Sequence, residues 1–276
     1  DSSDPVIQGL IARLQDENKD VRQAAAWVLG NLGDSSDPVI QGLIARLQDE
    51  NGSVRKYAAE ALGKLRYTSP AVIDGLVACL QHEHWSVRVA AAWALSNLGD
   101  TSPAVIQGLL ALLQDENLSV RGAAVEALGK LGDTSPLVIE GLLALLQHEN
   151  WSVRQAAVEA LGKLGDTSPA VIQGLLARLQ DENRIVRVVA AEALGNLGDS
   201  SPAVIDGLVA CLQDEDAIVR EAATWTLRRA VAWVLGNLGD TSPAVIQGLL
   251  ALLQDKNEDL RQAAKEALTK LGYPPD

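Results

Sequence analysis

Methionine and phenylalanine are absent from this sequence, and all aromatic residues together make up only 3% of it. A core packed around large rings is therefore excluded, and Ala, Leu and Val must supply most of the 47% that is apolar. Basic residues are also scarce, with 23 Lys and Arg against 36 Asp and Glu, a net charge of −13. That balance argues against a nucleic-acid partner, which would need a basic stripe to displace counterions. No apolar run approaches the ~18 residues of a membrane span, and no signal-peptide pattern opens the chain. The expectation is a cytoplasmic protein with no membrane partner. Cysteine is limited to Cys79 and Cys211, which hold the same slot in repeat units four apart. In a stacked array they lie beyond disulfide reach, so they read as small hydrophobes.

Catalytic signatures are missing too. There is no phosphate-cradling glycine loop and no Ser or Cys with a recurring His and acid. His82 and His84 form a His-x-His pair without a third ligand, and Asp214-Glu215-Asp216 lacks the glycine and downstream Glu of a calcium loop. The expectation is a non-enzyme with no cofactor and no metal.

What is present is repetition. Eight units of 33 residues, one of them lengthened by eight, and the tail Tyr273-Pro274-Pro275-Asp276 account for all 276 residues. The units start at Asp1, Asp34, Tyr67, Asp100, Asp133, Asp166, Asp199 and Asp240, and together they read as one repeat domain over 1–276. Repeats 4 and 5 differ at only five of 33 positions, which means recent duplication or consensus engineering.

Each unit predicts two helices. The first opens on a capping residue followed by Pro, as in Ser102-Pro103 or Asp4-Pro5. Val105, Ile106, Leu109, Leu110 and Leu113 then recur at helical spacing, and a polar Gln-Asp-Glu-Asn turn ends the run. The second helix carries Val120, Ala124, Ala127, Leu128 and Leu131, and Gly132 closes it as a left-handed cap. Neither helix can bury its apolar face alone, so units must stack. A Gly inside every first helix, such as Gly42 or Gly108, costs about 1 kcal/mol relative to Ala and implies close approach or a bend. Every second helix also carries an Arg after its first Val (Arg22, Arg55, Arg88, Arg121, Arg154, Arg187, Arg220, Arg261). Six units place Asp in the preceding turn, with His82 and His148 in the other two, so an Arg-to-turn hydrogen-bond ladder between units is expected.

The run Asp115-Glu116-Asn117-Leu118-Ser119-Val120-Arg121-Gly122-Ala123-Ala124 resembles HEAT repeats. It is most similar to the short bacterial kind found in phycobilin lyases and in engineered helical binding scaffolds. The resemblance covers the whole chain and implies an all-α, right-handed α-α superhelix whose second helices line the concave face. It also implies a protein-binding platform.

Against this near-constant scaffold the variation falls in an i, i+4 row on the second helices. All six Trp lie in it, and the slot of Trp27 and Trp93 holds Glu60, Glu126, Glu159, Glu192 or Glu266 in other units. A slot that accepts an ionised Glu is expected to face water, because burying an unpaired carboxylate is costly. Glu units usually carry Lys four residues on, a helical ion pair, where Trp27 and Trp93 are followed by Asn31 and Asn97. The partner-binding candidates are Trp27, Asn31, Lys56, Trp85, Val89, Trp93, Asn97, Leu118, Trp151, Arg184, Val188, Trp225 and Trp233. The function expected is protein or peptide binding. The rival readings are a lyase-like chaperone subunit that holds a tetrapyrrole, and a purely structural or engineered array.

Two irregularities add expectations. Lys265 and Thr269 replace small residues in the last unit, which reads as a C-terminal cap over 240–276, while the outer face of repeat 1 should be apolar. Ile205 and Ile246 are 41 residues apart rather than 33. A continuous helix from Ile218 to Leu235 would be ~12 Å longer than its fellows. Its strip with Val231 and Trp233 would then seek a second copy across a two-fold axis, a homodimer.

Overall fold

The computed structural model describes residues 4–199, 201–211, 214–223, 225–226, 246–247, 249–250, 253–254 and 258–273. Among these, every regular element is a helix, and none is long and apolar enough to cross a membrane. The helix predicted over Ile218–Leu235, with Trp233, extends outside the described residues, as does most of the eight-residue lengthening.

The helices alternate in length along the chain. First helices are α1 (Pro5–Arg13), α3 (Asp37–Arg46), α5 (Pro70–Cys79), α7 (Pro103–Leu112), α9 (Pro136–Leu145), α11 (Pro169–Arg178) and α13 (Pro202–Cys211). Second helices are α2 (Lys19–Leu32), α4 (Gly52–Leu65), α6 (Trp85–Leu98), α8 (Leu118–Leu131), α10 (Trp151–Leu164) and α12 (Arg184–Leu197). Residues 217–223 and 225–226 are also helical, and α14 (Glu258–Lys270) is the second helix of the last unit. Two compact units result, Asp1–Val138 and Ile139–Asp276.

Within each unit, first helices pack on their own second helices, and each second helix packs on the next. The core is aliphatic: Leu14, Leu29, Leu43, Leu47, Leu62, Leu76, Leu80, Leu95, Ile106, Leu109, Leu113 and Leu128 are fully buried. Of the expected stripes only Leu110 and Leu131 stop at half-burial.

Capping follows the sequence with one correction. Gly33, Gly99, Gly132, Gly165 and Gly198 all take positive φ after their helices, and Arg66 does the same at φ 53° where a Gly is missing. Asn18, Asn51, Asn117, Asn150 and Asn183 cap the second helices through their side chains. Ser36, Ser102 and Ser168, by contrast, sit at first-helix N-termini without a side-chain cap bond. The Asp two residues earlier orders that turn instead: Asp100 Oδ1 accepts from the Ser102 N–H at 2.9 Å and Asp34 Oδ1 from the Ser36 N–H at 2.8 Å.

The glycines also divide by role. A β-carbon on Gly42, Gly75 or Gly108 would meet only the tip of Leu14, Leu47 or Leu80 from the preceding repeat. Gly9, first in the series, meets nothing within 4 Å. The close backbone approach lies on the second helices, where Gly30 and Gly63 sit against the Ala61 and Ala94 backbones. That approach lets α2, α4 and α6 pack together far more extensively than α1, α3 and α5 do.

At the last unit, Lys265 is exposed and the Thr269 hydroxyl donates back to the Lys265 carbonyl at 2.7 Å. Both cysteines are buried, and burial pushes each thiol up to about 11. The Cys79 thiol donates to the Leu47 carbonyl at 3.8 Å, the contact of a core side chain.

Candidate functional site

The Arg ladder forms, and it is structural. Arg22 Nε and Nη2 donate to the two Asp49 carboxylate oxygens at 2.8 and 2.9 Å, while Nη1 donates to the Asp16 and Glu17 carbonyls. Arg22 thus ties its own turn to the Asp of the next repeat. Arg154 with Asp181 and Arg187 with Asp214 repeat the fork, and Arg88 reaches Asp115 at 2.7 and 2.8 Å. Burial alone would raise the Asp49, Asp181 and Asp214 carboxyls, but the arginine and backbone hydrogen bonds outweigh it and hold all three below the usual carboxylate range.

The fork is broken where the sequence departs from Asp. Arg55 donates to the Asp49 carbonyl of its own turn, but the next repeat offers His82, and the buried Arg55 Nε has no partner. His82 takes over the backbone half of the Asp's work, accepting from the His84 N–H through Nδ1 at 2.9 Å. His148 does the same for the Asn150 N–H at 3.0 Å. Both histidines therefore serve their turns. Burial, then the Arg55 charge, lowers the His82 pKa from its ordinary value.

The variable row lies on the open side of the second helices, away from their buried stripe. Trp27, Trp85, Trp93, Trp151 and Trp225 are all exposed, from 38% for Trp151 to 57% for Trp93. Asn31, Leu118 and Arg184 are exposed, and Lys56, Val89, Asn97 and Val188 are half-buried. The Glu that replaces Trp in the same slot is half-buried at Glu60 and Glu159 and exposed at Glu126 and Glu192. A shared slot for Trp and Glu is thus a wet one.

One pairing was missed by reading single helices. Lys64 does not serve Glu60; its ammonium donates to Asn31 Oδ1 of the preceding repeat at 2.8 Å, and Lys130 likewise reaches Asn97. Glu60 pairs with Lys56 at 3.6 Å. The alternation of Trp-with-Asn and Glu-with-Lys units is therefore a contact between neighbours. Its only sequence signal is the covariation of residues 33 apart.

In the unit Asp1–Val138 the row is grooved. Lys56, Glu60 and Lys64 of α4 face Trp85, Val89, Trp93 and Asn97 of α6 across a hollow of about 440 Å³. A smaller hollow of about 120 Å³ lies on the other flank of Trp93, against Glu126, Ala127 and Lys130 of α8. Trp93 stands between them as a ridge. In the unit Ile139–Asp276, Val188, Glu192 and Asn196 of α12 face Ile218, Glu221, Ala222 and Trp225 across about 470 Å³.

Comparison with known proteins places this geometry. The pattern of HEAT repeats matches overlapping segments over residues 7–81, 40–129, 73–144, 106–184, 139–228 and 224–276. No curated protein sequence matches the chain. Among solved structures, importin β is similar at TM-score 0.73 and 20% identity, over 98% of this chain and 41% of that one. Kap95p, in a structure concerning its binding to RanGDP, is similar at TM-score 0.70 and 19% identity, over 100% of this chain and 42% of that one. An engineered protein is similar at TM-score 0.52 and 23% identity, over 96% of this chain and 78% of that one. The chain spans about two fifths of the two importin-type chains.

Proposed function

The chain belongs to the HEAT-repeat family, and from that premise we propose that it is a non-enzymatic scaffold that binds a protein or peptide along its second helices. The observation that carries the proposal is the set of exposed tryptophans on one helical row. Large rings held in water cost free energy that a partner recovers on covering them, and Trp is enriched among residues that dominate binding. The scaffold makes no demand for them, since the slot of Trp27, Trp93 and Trp225 holds Glu in other units and that of Trp85 and Trp151 holds Lys19, Gly52, Leu118 or Arg184. Closer packing of second helices than of first helices supports placing the row on the inner, concave side. Kap95p, a structure of similar fold, is named with RanGDP as its binding partner.

The α4–α6 hollow is the best-formed seat for an apolar anchor. Trp85 and Trp93 supply two walls, Val89 lies half-buried between them, and Lys56 and Lys64 form a polar rim. This is the arrangement of an interface hot spot, with aromatic centre and wet edge.

Selection of a random peptide library against the intact protein tests the reading. Peptides should be enriched that bind the protein and lose at least tenfold in affinity to the Trp85→Glu, Trp93→Glu variant. Enrichment of peptides indifferent to both substitutions, or no enrichment, would contradict it and leave a purely structural array.

A further inference from the structure

We infer that the hollow between α12 and the helical residues 217–223 and 225–226 is a subsite for an arginine side chain of the bound peptide. The inference rests on the peptide-binding reading and gives it a chemistry. The hollow, about 470 Å³, has an aliphatic floor of Val188 and Ile218, carboxylates from Glu192 and Glu221, and the exposed ring of Trp225. No lysine or arginine is among the described residues that line it.

Glu192 stands apart from its counterparts in the row. Glu60 has Lys56 at 3.6 Å, and Glu159 accepts from Gln155 Nε2 at 2.8 Å. At Glu192 the residue four earlier is Val188 and the residue four later is Asn196, so its own helix offers neither a basic nor an amide partner before it and no lysine after it. Glu192 is exposed yet partly desolvated by its neighbours, and this, followed by the nearby Glu159 carboxylate, raises its pKa above the ordinary value. An added cation would favour the ionised carboxylate and so offset both effects. Glu221, on the facing helix, is exposed at the mouth of the same hollow.

Arginine fits this set better than other cations. Its planar guanidinium pairs with carboxylates through a rigid fork and stacks on an indole face, while its methylene stem suits an aliphatic floor. The α4–α6 hollow has the opposite rim, two lysines and one carboxylate. An apolar residue would therefore be taken there and arginine here.

The test needs no selected peptide. Nα-acetyl-arginine methylamide is titrated into the intact protein with its tryptophan indoles ¹⁵N-labelled, and the citrulline analogue serves as a neutral isostere. The Trp225 indole signal should shift with saturation on the order of millimolar, as for a single weakly held group. Citrulline should leave it unmoved, and Glu192→Gln with Glu221→Gln should weaken the arginine response at least tenfold, while the Trp93 signal stays fixed throughout. Equal shifts with arginine and citrulline, a response unchanged in the double variant, or no Trp225 shift at tens of millimolar would overturn the inference. The lysine analogue matching arginine would overturn the guanidinium assignment. Because the α4–α6 hollow is probed separately through Trp85 and Trp93, failure here is distinguishable from failure of the peptide-binding reading.

Discussion

Gly63 and Ala94 meet so closely across α4 and α6 that a β-carbon on Gly63 would lie 2.7 Å from the Ala94 Cα and 2.9 Å from its Cβ. Backbone cannot retreat as a flexible side chain can. Gly63→Ala should therefore destabilise by about 1–3 kcal/mol, the usual cost of overpacking. Ser96 holds the corresponding place in α6 and is buried, so the lower end of that range is expected. Gly122, exposed inside α8 with nothing within 4 Å, is the control. There Gly122→Ala should add about 0.5–1 kcal/mol by helix propensity alone. Denaturant unfolding of the two variants checks both signs.

Arg66 carries a conformation that six other second helices among the described residues give to glycine. A non-glycine residue in the left-handed region costs about 1–2 kcal/mol, so Arg66→Gly should raise stability by about 1 kcal/mol. A lower melting temperature for this variant would contradict the assignment of Arg66 as a strained cap.

His82 should make stability depend on pH. Burial and the Arg55 and His84 charges lower its folded pKa below the ordinary 6.5, against the opposing charge of Glu83. The unfolded chain therefore binds the proton more readily than the folded one. Stability is full above about pH 6.5 and falls as the pH drops through that value toward the lower folded pKa. His82→Asp should remove this limb and complete the Arg55 fork, adding on the order of 1 kcal/mol at pH 7. Unfolding curves for both proteins between pH 5 and 8 provide the measurement; parallel curves would contradict it.

A second loss of stability, at lower pH, belongs to the ladder carboxylates. Asp181 is held below the usual carboxylate range by Arg154 and the Asn183 N–H despite its burial. Its contribution is present above the ordinary value of 3.8 and is lost as the pH falls through the folded value. Asp181→Ala should cost about 1–3 kcal/mol at pH 7, because buried Arg154 nitrogens lose their acceptors. The loss should shrink on acidification, when the parent protein loses the same bond.

Much of this fold was legible because period and face are local properties. Pro at the first turn, Gly after the last, and apolar residues at helical spacing place the helix pairs, and the Trp and Glu that share a slot mark its wet side. The ladder too could be anticipated from Arg121 and the turn acids, though not its direction, from Arg22 forward to Asp49. What escaped single-helix reading is contact between repeats. Helical spacing suggested that Lys64 serves Glu60, but the stack brings Asn31 to it instead. Glycine counting drew attention to Gly42, whose neighbour is a movable leucine tip, rather than to Gly63, whose neighbour is backbone. Stacking distance, which sequence spacing within one helix does not encode, decides both.

The most direct measurement is made on Trp93, the most exposed tryptophan among the described residues and the ridge between two hollows. Trp93→Glu places in α6 the residue that α8 already carries at Glu126. Its unfolding free energy, measured in denaturant, should stay within about 0.5 kcal/mol of the parent, as for a surface position, while affinity for peptides selected on the parent falls at least tenfold. A loss of about 3–5 kcal/mol, the cost of truncating a buried aromatic, or unchanged peptide affinity would contradict the account.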